Sequence, residues 1–244
     1  MPMLRKIMLL VFGVVAVLAI GSFSFGPGSP ARAAGPGDGR SLEPYFTPAT
    51  AAAKAPDADG FLQRWMLLEP INKPNSSNAG FTEAYVRNAL TMEYFRGQFD
   101  AVPHDGDKVT VAGEPLAWHA LDSAGFNVKL FRLAYGLNKP TYGVVFWGVT
   151  VADCPREMPN VRLAVGSNSA SMWWVNGKEA VTLFGDRRMV ADDGVSKRLT
   201  LNKGPNVIRG AVINGPGMSD FCARFLDEKG DPVKDLNLTL NIVK

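Results

Sequence analysis

Between Val161 and Phe184 the chain alternates as a half-buried sheet does. Val161, Leu163 and Val165 are apolar, with Arg162 and Ala164 between them. Gly166-Ser167-Asn168-Ser169 is a turn signal. Met172 to Val175 is a second strand, rich in aromatic and branched residues. Asn176-Gly177 predicts a two-residue hairpin, because both central residues of a type I′ turn need positive φ. Glu179 to Phe184 returns, so the pattern predicts a three-strand antiparallel meander.

The rest of the chain repeats this rhythm. Phe61 to Ile71 reads as a strand leading into the loop 72–80. Lys108–Val111, Leu116–Leu121, Asn127–Leu133, Val195–Leu201, Asn206–Ile213, Phe221–Leu226 and Leu236–Val243 read as further short strands. Tyr142 to Val151 is apolar at nearly every position, which predicts a central strand buried on both faces. One stretch, residues 82–95, has helical spacing. Thr82 is its cap, Phe81 and Val86 form a hydrophobic staple, and Tyr85, Ala89, Met92 and Phe95 form the buried stripe. Many short strands at intervals of about ten residues predict an all-β fold, a β-sandwich with one packed N-terminal helix.

The strand–Gly-Ser-Asn–Trp strand–Val-Asn-Gly-Lys order resembles the galactose-binding-like jelly roll of secreted bacterial carbohydrate-active proteins. The likeness continues through Asp186-Arg187-Arg188, Val195–Leu201 and Asn202-Lys203-Gly204-Pro205-Asn206. The wider run from Phe61 to Phe225 resembles the non-catalytic region of acetyl-xylan-esterase-like proteins. The resemblance implies a jelly-roll sandwich, a polysaccharide or glycan partner and a separate catalytic protein or module. A structural calcium ion is compatible with it, although no Asp-x-Asp-x-Asp loop occurs.

The start of the chain has a different character. Arg5-Lys6, the uncharged apolar run Ile7 to Ile20 and the small-x-small site Ala31-Arg32-Ala33 predict a signal peptide over residues 1–33. That run is shorter than the roughly 20 residues of a membrane span. The expectation is a secreted or periplasmic protein, without a membrane anchor once the leader is cleaved. Residues 34–59, rich in Ala, Pro and Gly, read as a flexible linker, and 60–244 as a single sandwich domain. The chain has 26 basic and 23 acidic residues, and the three basic residues Arg5, Lys6 and Arg32 lie in the leader. The remainder is balanced, which gives no ground for a nucleic-acid partner. The two cysteines, Cys154 and Cys222, predict a disulfide in an exported chain.

The residues supply no catalytic set. Gly-x-Ser-x-Gly is absent, and Gly166-Ser167-Asn168-Ser169-Ala170 lies between strands. His104 falls in a surface turn and His119 in a strand. Glu157, Asp186 and Asp220 are carboxylates whose convergence only a fold can establish, and Asp192 and Asp193 point to opposite faces of a strand. The chemistry points instead to binding. Trp173 and Trp174 are adjacent on one strand and face opposite ways, so one is expected in the core and the other as a stacking surface for a sugar ring. Asn168, Arg187, Arg188 and Asp220 in neighbouring turns are the candidate polar partners. The resulting expectation is a non-catalytic carbohydrate-binding module, against two alternatives: an acetyl-xylan esterase, or a structural protein-interaction module at the cell surface.

Overall fold

The computed structural model describes residues 40–50 and 53–240. The expected leader, residues 34–39 and 51–52 of the expected linker, and residues 241–244 of the last strand lie outside the described residues. The strands are β1 (Phe46–Pro48), β2 (Arg64–Leu68), β3 (Ile71–Asn72), β4 (Lys108–Val111) and β5 (Glu114–Ser123). Next come β6 (Val144–Cys154), β7 (Met158–Ser167), β8 (Ser171–Val175), β9 (Lys178–Leu183) and β10 (Gly194–Val195). The last are β11 (Leu199–Leu201), β12 (Gly204–Asn214), β13 (Phe221–Leu226) and β14 (Asn237–Thr239). Helix α1 spans Glu83–Thr91 and α2 spans Leu130–Gly136.

Two antiparallel sheets result. The larger runs β1-β5-β2-β6-β12-β8-β9, with β3 and β14 also on β6 and β4 on β5. The smaller runs β10-β7-β11, with β13 on β7. The expected meander is therefore corrected: β7 belongs to the smaller sheet, and β8 and β9 to the larger. The chain crosses between the sheets at Asn168 to Ala170. Ser169 takes a φ of 64° in this crossing, and Gly166 just before it lies against Val190, whose carbonyl oxygen a Cβ would meet at 1.9 Å. The Asn176-Gly177 hairpin forms as expected, with φ of 49° and 77°.

Strand β6 is the spine of the larger sheet. It pairs along its length with β12 on one side, and in turn with β3, β2 and β14 on the other. Its side chains feed two cores. Phe146, Trp65, Trp173, Phe221 and Phe225 fill the space between the sheets. Trp147, Trp174, Met66, Leu68 and Met172 fill the opposite face, under Phe81, Val86 and Leu90. A sheet covered on both faces needs apolar residues at consecutive positions, and this explains the unbroken hydrophobic run of β6.

Helix α1 starts on Thr82, whose hydroxyl accepts the Tyr85 N–H at 3.4 Å. It ends four residues before the expected Phe95. The buried Gln98 side chain accepts the Tyr94 N–H at 2.8 Å and donates to the Met92 carbonyl at 3.0 Å, drawing the chain into a turn there. Met92, expected on the buried stripe, is consequently exposed, and Leu90 takes its place. The strand expected over Asn127–Leu133 is corrected to α2. Leu130, Leu133 and Ala134, with Leu137 beside them, recur at helical rather than alternating spacing and pack on the inter-sheet core.

The flexible linker is also corrected within the described residues. Phe46 is buried, β1 pairs with β5, and Lys54 exchanges backbone hydrogen bonds with Leu238 at 3.0 and 2.7 Å. Among the described residues no helix is long and apolar enough to cross a membrane.

The expected disulfide does not form: Cys154 and Cys222 are free, buried thiols. Cys154 pairs with Gly204 at the end of β6, next to the turn into β7, whereas Cys222 pairs with Gly166 near the far end of β7. The eight residue steps from Met158 to Gly166 span roughly 26 Å, far beyond the ~7 Å Cα limit for a bridge. Burial, more than any neighbouring charge, pushes both thiols up to about 11.

Candidate functional site

The tryptophan pair does not supply the expected stacking surface. Trp173 lies between the sheets, edge-on to Trp65 and Phe221 at 6.1 and 5.1 Å between ring centroids. Its indole N–H donates to Ser171 Oγ at 3.0 Å. Trp174 stacks on Trp147 at 5.4 Å on the other face and meets Phe99 edge-on. Both are buried, at 0% and 7% exposure. A strand inside a doubly covered sheet has no outward face, so alternation exchanges one core for the other.

Three of the four polar candidates do meet, at the end of the sandwich where the β12–β13 loop, Gly215 to Asp220, emerges. Asparagine side chains clamp this loop. Asn78 Oδ1 accepts the Gly215 N–H at 3.0 Å, and Asn78 Nδ2 donates to the Pro216 carbonyl at 3.1 Å and to Asp186 at 2.9 Å. Asn75 donates to the Asn214 carbonyl at 3.2 Å, Asn214 to the carbonyls of Thr141 and Gly217, and Asn168 to the Met218 carbonyl at 3.2 Å. An amide supplies both a donor and an acceptor, so each can satisfy a loop whose backbone has no strand partner. Gly215 is required here, because a Cβ would lie 2.3 Å from Asn78 Oδ1 and 2.4 Å from Asn75 Oδ1.

Two hollows flank the loop. The smaller, about 220 Å³, is bordered by Asn168, Ser169, Asp186, Arg187, Arg188 and Met218, among others. Arg187 is already committed, to Asp193 and to the Phe184 carbonyl at 3.0 Å. Arg188 is exposed and has no ion pair among the described residues. Asp220 does not line this hollow. It is buried behind the loop, where Lys129 donates to it at 2.7 Å and its backbone carbonyl accepts the Asn168 N–H at 3.0 Å. It positions the loop, and sequence reasoning placed it one layer too far out.

The larger hollow, about 510 Å³, is lined by Asn72, Pro74, Asn75, Ser76, Tyr142 and Gly143. Tyr142 is 52% exposed. Its ring lies 5.8 Å from Phe131, which stacks parallel to Tyr135 at 6.5 Å, so three aromatic rings run on from the hollow across α2. Asn75 Oδ1 is buried without a hydrogen-bond partner. Sequence reasoning missed this site because it placed Tyr142 on the buried strand. Gly143 has a φ of 62°, which ends β6 at Val144 and turns the tyrosine outward. The glycine following Tyr142 was the available signal.

The loop carrying Tyr142 is tied down by Lys139, which binds Glu69 at 2.9 Å. Glu69 also accepts the Ala117 N–H at 3.1 Å, and His119 Nε2 lies 3.6 Å from it. Burial alone would raise the Glu69 pKa, but the Lys139 and Ala117 hydrogen bonds and the charges of Lys139 and His119 outweigh it and hold the carboxyl below its ordinary value. His104 sits on Asp107 at 3.5 Å. Glu157, Asp186 and Asp220 do not converge: Glu157 lies in the β6–β7 turn, in a separate hollow. Asp192 and Asp193 pair with Arg224 and Arg187. Among the described residues no group of three or more His, Cys, Asp or Glu side chains is placed to hold a metal ion.

No family model matches this chain, and no curated protein matches it in sequence. Among solved structures, it is similar to a PA14 sugar-binding domain from an RTX adhesin, with a TM-score of 0.40 and 11% identity, covering 72% of this chain and 96% of that one. It is also similar to the PA14 domain of the antifreeze protein MpAFP, with a TM-score of 0.38 and 8% identity, covering 71% and 89% of the two chains. A third similar structure is the β-glucosidase of Kluyveromyces marxianus, with a TM-score of 0.34 and 15% identity over 67% of this chain. The match spans 15% of that enzyme.

Proposed function

We propose that this chain is an exported, non-catalytic carbohydrate-binding module with a jelly-roll sandwich, serving a polysaccharide-degrading system whose catalysis resides in another protein. The observation that carries the reading is the half-exposed Tyr142 ring beside an open hollow lined by Asn72, Asn75 and Ser76. A tyrosine face packs against the C–H face of a pyranose, while amides and a hydroxyl fix its hydroxyl groups. The non-catalytic reading is supported by the histidines, which lie on Glu69 and Asp107 rather than on a serine.

The test incubates the protein with acetylated xylan and a panel of insoluble polysaccharides, scoring bound protein and released acetate together. Retention on a neutral polysaccharide without acetate is expected, weakened about tenfold, or ~1.4 kcal/mol, by Tyr142→Ala. Retention that survives Tyr142→Ala unchanged refutes the site. Acetate release abolished by Ser169→Ala or His119→Ala would make the protein an acetyl-xylan esterase.

A further inference from the structure

A third hollow, about 860 Å³, shares no lining residue with either hollow at the β12–β13 loop, Tyr142 included. It lies where the two sheets part along one edge. Strand β9 ends the larger sheet there, and β10 and β11 flank β7 in the smaller one. The sheets are pinched together at Gly194, where a Cβ would meet Leu183 at 2.5 Å and Val181 at 2.9 Å. From that pinch they splay towards the β8–β9 turn and the segment joining β10 to β11. The groove between them has a partly apolar floor, Ala180 and Leu199, resting on the inter-sheet core.

Its walls are cationic. Arg87, Lys178, Lys197 and Arg198 line it, against the single carboxylate of Glu179. Arg87 is held by Glu83 and Glu179, and Arg198 by Glu228 at 2.9 Å, all through well-exposed pairs of the kind that salt screens and that contribute little. Lys178 and Lys197 are exposed and have no ion pair among the described residues. The Asn202 amide and the Thr200 hydroxyl, also on the wall, make no side-chain hydrogen bond among the described residues. A groove with unpaired ammonium groups, free hydroxyl-binding groups and a weakly apolar floor suits an extended chain that carries carboxylates and hydroxyl groups alike.

We infer that this edge groove is a second binding site, independent of the Tyr142 hollow, for an acidic polysaccharide rich in uronate residues. Lys178 and Lys197 meet its carboxylates, and Asn202 and Thr200 its hydroxyl groups. No aromatic residue lines the groove, whereas grooves for single-stranded nucleic acid combine basic residues with aromatic rings on which the bases stack; that sets the polysaccharide above the nucleic acid as occupant.

Affinity electrophoresis of the full chain through gels containing polygalacturonate, xylan or single-stranded DNA tests the assignment. Polygalacturonate is expected to retard the protein more than xylan does, and the retardation should fade as salt rises to about 0.5 M. The double variant Lys178→Glu/Lys197→Glu should bind polygalacturonate at least about tenfold more weakly, with an unchanged melting temperature because both side chains are on the surface. Tyr142→Ala should bind polygalacturonate as the parent does. Retardation equal for polygalacturonate and xylan, or undiminished in the charge-reversed variant, would overturn the site. Stronger retardation by DNA, lost in the same variant, would overturn the ligand class. Loss in Tyr142→Ala would show that the groove is not an independent site.

Discussion

The strand Ser171–Val175 and the loop Thr141–Gly143 both carry aromatic residues, and they use them in opposite ways. Trp173 and Trp174 are held by other rings on two faces of one sheet. Tyr142 is supported on one side by Phe131 and open on the other. The strand has more aromatic surface and none of it is available; the loop has less and offers half of one ring. What separates them is the backbone. An extended strand in a doubly covered sheet hands each side chain to one core or the other, whereas a single positive φ at Gly143 takes its neighbour out of both. Aromatic content therefore marks where this protein is packed, and the break in the strand marks where it turns a ring to solvent.

The sharpest way to break this contrast is Trp173→Ala. If the strand is purely structural, the variant loses about 3–5 kcal/mol in chemical denaturation, and any loss of glycan retention tracks unfolding. Retention lost with stability intact would return the tryptophan to a binding role. Gly210→Ala probes the same packing from behind. Its Cβ would lie 2.3 Å from the Trp173 ring, and overpacking of a fixed ring is expected to cost about 1–3 kcal/mol, visible as a lower denaturation midpoint.

The loop side depends on charge rather than packing. Glu69→Gln frees Lys139, and a loss of about 1 kcal/mol is expected at pH 7. Glu69 has a depressed pKa, so its contribution is present above the ordinary carboxyl value of 4.5 and fades as the pH falls through the folded value. The parent and the variant should converge in stability in acid, and a difference that persists there would mean that Glu69 acts through packing. Retention on glycan should fall with the same acid profile, because the Lys139–Glu69 pair holds the loop that carries Tyr142. The smallest effect belongs to the cysteines. A reductant should leave the melting temperature unchanged, and a thiol reagent should label Cys154 and Cys222 only after unfolding, since both are buried and their pKa values stand at about 11.

Much of the architecture was legible because it follows from local rules. The Asn176-Gly177 hairpin, the Thr82 cap and the two-faced burial of β6 each need only a few neighbouring residues to specify them. The errors fall where a local pattern was weighed over too short a stretch or where distant elements decide. Asn127–Leu133 satisfies a strand reading until the 3.6-residue spacing of Leu130, Leu133, Ala134 and Leu137 is weighed. The partition of β7 and β8 between two sheets lies in the long-range pairing of β7 with β13 and of β8 with β12, which no local pattern announces. The candidate site was legible in part for the same reason. Asn168, Arg187 and Arg188 lie in turns that any sandwich brings to one end, but the burial of Asp220 depends on Lys129, far away in the chain.

The backbone exchange between Lys54 and Leu238 brings together segments near the two ends of the described chain, and β14 completes the cover on β6. Contacts so distant in sequence are the slow ones to form, since the whole intervening loop must be ordered before they contribute. The large sheet therefore stays unfinished, with part of one β6 edge open, until β14 has been made. Deletion of β14 should trap the protein as a species with an unpaired, aggregation-prone edge on β6.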